Sequence, residues 1–143
     1  MQKYFSVYIL SISLILAIGC ANQVTPSGGT KDEIPPTPEK FTPENFSTFF
    51  SADEIVVEFN EYFQATDVFN QVVISPPMEK TPDIKVKGKK LVIKLNSVLR
   101  NSTTYTINFG ESIKDITEGN VLENFTYVFS TGSYIDSLTL RGT

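Results

Sequence analysis

The sequence predicts an all-β protein, an antiparallel β-sandwich of about seven strands. Three observations predict it. From residue 41 onward, apolar and polar residues alternate over short runs, as in strands that bury one face. Turn-forming residues separate these runs at intervals of roughly 8 to 12 residues, as in two-sheet sandwiches. The 3.6-residue periodicity of an amphipathic helix is almost absent. One domain accommodates all of the strands.

Residues 1–19 have the pattern of an export signal, in which Lys3 precedes an apolar stretch too short for a full bilayer span. The stretch ends at Ala17-Ile18-Gly19-Cys20, and Cys20 is the only cysteine. This ending resembles the bacterial lipobox, although Ala17 stands where leucine is usual. The resemblance implies cleavage after Gly19 and a covalent lipid on the Cys20 sulfur, with no other cofactor. A cleaved leader with a stray thiol, or a short membrane anchor, is the alternative interpretation.

Residues 20–40 are rich in proline, glycine and small polar side chains and carry few apolar groups. We predict that they form a lipidated tether, which could reach at most about 70 Å when fully extended. Two or more acyl chains hold a protein on a membrane stably, so the chain is expected in the cell envelope. The residue after Cys20 is not the aspartate that resembles an inner-membrane retention signal. The outer membrane is therefore expected, and whether the chain faces the periplasm or the surface stays open.

Residues 41–132 contain the predicted strands, in which alternate residues face the core. The predicted inward positions are, in chain order, Ile55, Val57, Phe59, Leu91, Ile93, Leu95, Tyr105, Ile107, Phe109, Phe125, Tyr127 and Phe129. A shorter strand at residues 72–74 stops before Pro76, because proline cannot donate to a ladder. Residues 84–87 meet the Leu91 strand across a turn at Gly88. The lysines of this hairpin are interpreted as a solvated face, and a patch for anions or anionic lipid is the alternative.

The composition restricts the chemistry that this chain could perform. The formal net charge is −4, and the hairpin lysines are the one basic cluster, so nucleic acid is not expected as a partner. The chain has no histidine and no cysteine besides Cys20, which excludes Ser-His-Asp hydrolysis, thiolate catalysis and Cys/His zinc sites. Hydrolysis by two carboxylates would need a deep cleft, which domains of this size rarely offer. We therefore predict that the chain is not an enzyme.

Residues 99–107 resemble the tyrosine corner of immunoglobulin-like and fibronectin-type sandwiches, where a tyrosine at a strand start bonds to the preceding backbone. Tyr105 would then be structural. More broadly, residues 41–132 look like the bacterial Ig-like domain of envelope lipoproteins, and residues 26–36 are similar to the region after the lipid cysteine in Ig-like lipoproteins of Bacteroidetes-type bacteria. The motifs that carry the domain resemblance are Phe41-Thr42-Pro43-Glu44-Asn45, Glu61-Tyr62-Phe63, Glu118-Gly119-Asn120 and Tyr127-Val128-Phe129-Ser130-Thr131-Gly132.

This resemblance implies an immunoglobulin-like antiparallel sandwich that acts as a spacer, scaffold or adhesion module. Its partners would be the membrane, through the lipid, and an envelope protein or glycan, and the resemblance supplies no catalytic residues. A carbohydrate-binding accessory lipoprotein is the alternative function. Residues 133–143 are predicted to begin a following domain, so activity could also lie in sequence beyond Thr143.

Two sets of side chains are candidate sites. Asp115, Glu118 and Asn120 share one loop, and their oxygens are ligands of the type that calcium takes. Their spacing is not that of an EF-hand, so they are weak candidates and no metal site is predicted. Several aromatic residues also fall outside the strand alternation, and we interpret them as core-edge packing, with a ligand platform as the alternative. These aromatic residues are Phe46, Phe49, Phe50, Tyr62, Phe63 and Phe69.

Overall fold

A computed structural model describes residues 29–136, and nearly all regular structure in that range is β. The strands are β1 (Pro38–Thr42), β2 (Glu54–Phe59), β3 (Phe63–Ala65), β4 (Val73–Ser75), β5 (Asp83–Lys87), β6 (Lys90–Lys94), β7 (Thr104–Asn108), β8 (Ile113–Asp115), β9 (Val121–Leu122) and β10 (Thr126–Ser130). One short helix, α1 (Val68–Gln71), precedes β4. The predicted signal peptide, Cys20 and residues 137–143 lie outside the described residues. Within the described range, no helix is long and apolar enough to cross a membrane.

The strands form two layers of antiparallel sheet. One layer is a four-stranded sheet in the order β1-β2-β6-β5. The other consists of two three-stranded sheets, ordered β10-β7-β4 and β9-β8-β3. Three segments of the chain form these two sheets in the same order. Each segment is interrupted once along its length and so contributes one strand to each sheet, as β4 and β3, β7 and β8, and β10 and β9.

Seven chain segments therefore occupy the positions of the seven strands of a constant-type immunoglobulin domain, four in one layer and three in the other. The prediction of an all-β antiparallel sandwich of about seven strands is confirmed.

The core fills the space between the layers and is largely aromatic. All twelve predicted inward positions are buried, and Phe50, Phe63 and Ile113 join them. Rings from the two layers contact each other, since the centroids of Phe59 and Phe125 lie 5.9 Å apart in an edge arrangement. Contacts of this kind bury the inner faces of both sheets in one core.

The predicted lysine hairpin is confirmed. Lys87 pairs with Lys90 across the two residues Gly88 and Lys89, and Gly88 has a φ of +63°. A tight two-residue hairpin turn requires such positive φ values, which glycine adopts without steric cost. The lysines of the hairpin are exposed, as the alternation of β5 predicts.

The domain begins before residue 41, the first residue of the predicted domain. Pro36 is buried and β1 starts at Pro38. Thr37 and Asn60 are joined by two hydrogen bonds, one from the Asn60 N–H to the Thr37 carbonyl at 3.0 Å and one from the Thr37 N–H to Asn60 Oδ1 at 2.8 Å. The predicted tether of residues 20–40 is therefore wrong for its last residues, because a proline-rich segment can still form an edge strand.

Candidate functional site

The acidic loop between β8 and β9 is organised around one buried carboxylate. The Asp115 side chain is 1% exposed. Its Oδ1 accepts hydrogen bonds from the backbone N–H groups of Glu118 (2.7 Å) and Gly119 (2.9 Å), and its Oδ2 accepts one from Asn120 (2.9 Å). Burial favours the neutral acid, but these amide hydrogen bonds outweigh it and lower the pKa of Asp115 below its ordinary value. The carboxylate is therefore charged, and it holds the loop backbone in place through these hydrogen bonds.

The three calcium candidates are thus not arranged as ligands around a common point. Both oxygens of Asp115 are occupied by backbone amides, and Glu118 is exposed. The side-chain amide of Asn120 donates to the carbonyl of Asp32 at 3.0 Å, which fastens the incoming segment to the loop. Within residues 29–136, no three His, Cys, Asp or Glu side chains are grouped to hold a metal ion.

A further acid, Glu61, approaches this loop from the segment just before β3. Phe63 pairs with Asp115, which brings Glu61 near the carboxylates of the loop. Burial raises the pKa of Glu61, and the negative charges of Asp115, Asp32 and Glu118 raise it further. Lys89 opposes them in part. The acids therefore repel each other across the end of the sandwich.

Replacing Asp115 with asparagine should lower the melting temperature at pH 7, because the Asn NH₂ group would face the Asn120 N–H that Oδ2 now accepts. The depressed pKa means that the carboxylate stabilises the fold above its unfolded pKa of about 3.9, and that this stability is lost as the pH falls through the folded pKa. The difference in melting temperature between wild type and Asp115→Asn should therefore shrink below about pH 4. Thermal melts followed by circular dichroism from neutral to acid pH measure it. A constant difference would contradict the assigned role.

Two buried tyrosines also use their polar atoms on the backbone. The Tyr105 hydroxyl accepts a hydrogen bond from the Arg100 N–H at 2.9 Å, five residues upstream. The Tyr127 hydroxyl donates to the carbonyl of Pro43 at 2.8 Å, and burial raises the pKa of Tyr127 to about 12. Tyr127 was predicted only as a core residue, because nothing in the alternation signals a hydroxyl partner 84 residues away.

The aromatic residues outside the alternation divide into two groups. Phe50 and Phe63 are buried in the core, as interpreted. The core-edge interpretation is wrong for the others, which are mostly exposed, at 63% for Phe46, 71% for Phe49, 61% for Tyr62 and 92% for Phe69.

Phe46 and Phe49 also have positive φ values of 62° and 51°. Aromatic residues rarely adopt this left-handed conformation, and backbone hydrogen bonds to the strand β10 region hold them in it.

An apolar cavity of about 240 Å³ opens beside α1, where β4 and β5 end their sheets. Its lining includes Val72, Ile74, Pro77, Met78 and Ile84. Ligand pockets are usually larger and contain convergent polar groups, so this cavity lacks the features of a catalytic site. A second, more open and more polar depression of about 560 Å³ lies beside the residues that follow β6 and includes Asp53, Asn96 and Asn101.

Comparison with known proteins identifies a family whose model matches most of the chain. The model of the bacterial Ig-like domain matches residues 32–131. Similar solved structures include an L,D-transpeptidase from Mycobacterium smegmatis (14% identity, TM-score 0.44), which covers 69% of this chain while the chain spans 41% of that protein. Others are PcoC, a methionine-rich copper resistance protein from Escherichia coli (15% identity, 66% of this chain and 96% of that one, TM-score 0.44), and the N-terminal part of the bacterial S-layer protein SbsC (22%, 71% and 24%, TM-score 0.45). No curated protein matches the chain.

Proposed function

Because the chain belongs to the bacterial Ig-like domain family, we propose that it is a non-enzymatic, lipid-anchored protein of the cell envelope. Domains of this family are generally non-catalytic, and the fold fits a spacer or scaffold module. The observation that carries the proposal is the use of the buried polar groups. Asp115, Tyr105 and Tyr127 each bond to backbone atoms and hold the sandwich together. A domain built in this way presents a stable surface rather than a reactive centre.

The proposed anchor is a lipid on Cys20, supported by the apolar stretch before it and by the absence of any other cysteine. The segment that Asn120 fastens begins at Asp32, only twelve residues after Cys20. These twelve residues could span at most about 40 Å. The maximum distance between the sandwich and the membrane would therefore be shorter than with a tether of residues 20–40.

A second candidate function, carbohydrate binding, is favoured by the exposed rings of Phe46 and Phe49. Rings that stack on sugars must be exposed, and backbone hydrogen bonds to the β10 region fix the positions of these two. Binding of the purified domain to a glycan array, with loss of the signal on Phe46→Ala and Phe49→Ala substitution, would support this function. Activity in sequence beyond Thr143 is a third candidate, which the downstream genomic sequence would test.

The anchor is tested by metabolic labelling with an alkyne fatty acid in cells that express the full chain. We expect the wild type to take up the label and to enter the detergent phase of a phase-separation assay, whereas Cys20→Ala should do neither. Asn22→Ala, two residues away, is the matched control and should behave as wild type. Labelling that persists in Cys20→Ala would overturn the proposal.

Protease treatment of intact and lysed cells measures whether the domain faces the cell surface or the periplasm. Digestion of the wild type on intact cells would favour an adhesion role, and protection until lysis would favour a periplasmic scaffold.

A further inference from the structure

Positive charge is concentrated on the outer face of the four-stranded sheet. Residues that alternate with the core positions of β1, β2, β6 and β5 point outward on this face. We call this surface the lysine face, and its charged residues are Lys40, Lys85, Lys87, Lys90 and Lys94, with Lys89 in the adjoining turn, and Glu54, Glu58 and Asp83. Six lysines and three acids make a formal charge of about +3, and the exposed Glu39 at the bulge of β1 lowers it to about +2, although the chain as a whole carries −4.

Only part of this charge is neutralised within the face. Lys90 Nζ lies 2.8 Å from Glu58 Oε1, and Lys85 Nζ lies 2.6 Å from Asp83 Oδ2. A hydrogen bond from Lys90, helped by the charges of Lys90 and Lys40, lowers the pKa of Glu58 below its ordinary value. Among residues 29–136, Lys40, Lys87 and Lys94 form no ion pair. Lys94 stands opposite Glu54 and Asp83 in the sheet, so Lys40 and Lys87 are the ammonium groups most available to an anionic partner.

We propose that the lysine face binds the anionic headgroups of the membrane that holds the Cys20 lipid. The partner is argued from charge complementarity and from the place where the chain enters the domain. β1, the first strand after the anchor segment, belongs to this same sheet and carries Lys40. The segment from Cys20 to Asp32, with a reach of at most about 40 Å, is long enough for the sandwich to lie on this face. The inference rests on the proposed anchor for its choice of partner.

Acids of the second layer act on this attraction only weakly. Asp115 lies at β8, in that layer, whereas Glu61 lies between β2 and β3, close enough to Lys89 for their charges to interact. Packed sheets are about 10 Å apart, close to the Debye length at physiological ionic strength. A membrane in contact with the lysine face therefore experiences the lysines more strongly than the acids of the second layer. Lysines also cover apolar surface with their stems, and Val56 and Val92 occupy the centre of this face.

The test uses the domain Asp32–Thr143, a compact unit with its own core, so that no lipid contributes to binding. Cosedimentation is measured with vesicles of phosphatidylcholine alone and with added phosphatidylglycerol. We expect binding that is about tenfold tighter to the anionic vesicles and that is lost at high salt. The variant Lys40→Gln/Lys87→Gln/Lys94→Gln should lose this preference.

The matched control is Lys80→Gln/Arg100→Gln/Lys114→Gln, which removes the same charge from positions outside the lysine face. It should bind anionic vesicles within about twofold of wild type, and both variants should melt cooperatively. Equal loss of binding in the two variants, or no preference for anionic vesicles, would overturn the inference. Binding to polyglutamate without binding to vesicles would assign the face to an acidic protein and would also overturn it. Fatty-acid labelling of Cys20 is independent of this result, so failure of the inference is distinguishable from failure of the anchor.

Discussion

Replacing Phe129 with alanine should lower the free energy of unfolding by about 3–5 kcal/mol. The Phe129 ring is fully buried on β10, with its centroid 4.1 Å from that of Phe50 and 5.3 Å from that of Tyr105. Removing the ring would leave a cavity among side chains that are themselves held by backbone hydrogen bonds, such as Tyr105, so the site cannot collapse freely. Urea denaturation of the domain Asp32–Thr143, followed by tyrosine fluorescence and circular dichroism, measures the change.

Phe69→Ala is the matched control, since it deletes the same ring at a position that is 92% exposed. It should change the free energy of unfolding by less than about 0.5 kcal/mol. A domain of this size is stabilised by only about 5–15 kcal/mol, so Phe129→Ala would consume a large part of that stability. Similar losses in the two variants would contradict the assignment of Phe129 to the core and of Phe69 to the surface.

The buried faces of the long strands could be predicted from the sequence because alternation over five or six residues specifies which side chains point inward. Shorter pieces could not. β8 has three residues and β9 has two, which is too few for any periodicity to be recognised. β1 could not be predicted for a different reason. Pro35, Pro36 and Pro38 give the segment around its start the composition of a tether, whereas its pairing with β2 places it in the sheet.

At the candidate sites, residue type alone does not predict the role or the burial of a side chain. Asp115 has the chemistry of a calcium ligand, but the positions of three backbone N–H groups decide its role, and these depend on the turn at Gly119. Phe49 and Phe50 are adjacent and identical in chemistry, yet one is 71% exposed and the other 7%. The positive φ of Phe49 separates them, and no local pattern predicts it.

Replacing Gly110 with alanine should lower the free energy of unfolding by about 2–5 kcal/mol, from backbone strain and a steric clash together. Gly110 has a φ of +52°, and a Cβ there would lie 2.9 Å from the backbone oxygen and 2.8 Å from the side-chain oxygen of Gln71. It also lies at the interruption between β7 and β8, where its carbonyl accepts a hydrogen bond from the Asn124 N–H. The substitution would therefore strain the junction between the two halves of the second layer.

Gly88→Ala separates the two causes, because Gly88 has a similar φ of +63° but no atom within 4 Å of the added Cβ. It should cost about 1–2 kcal/mol from strain alone, measured by urea denaturation beside Gly110→Ala. Adding Gln71→Ala to Gly110→Ala should restore only part of the loss, since the clash with the Gln71 backbone oxygen remains. Equal losses for Gly110→Ala and Gly88→Ala would show that the junction yields to the extra atom. A junction that yields would make the second layer a flexible element, which is the opposite of what a spacer of fixed length requires.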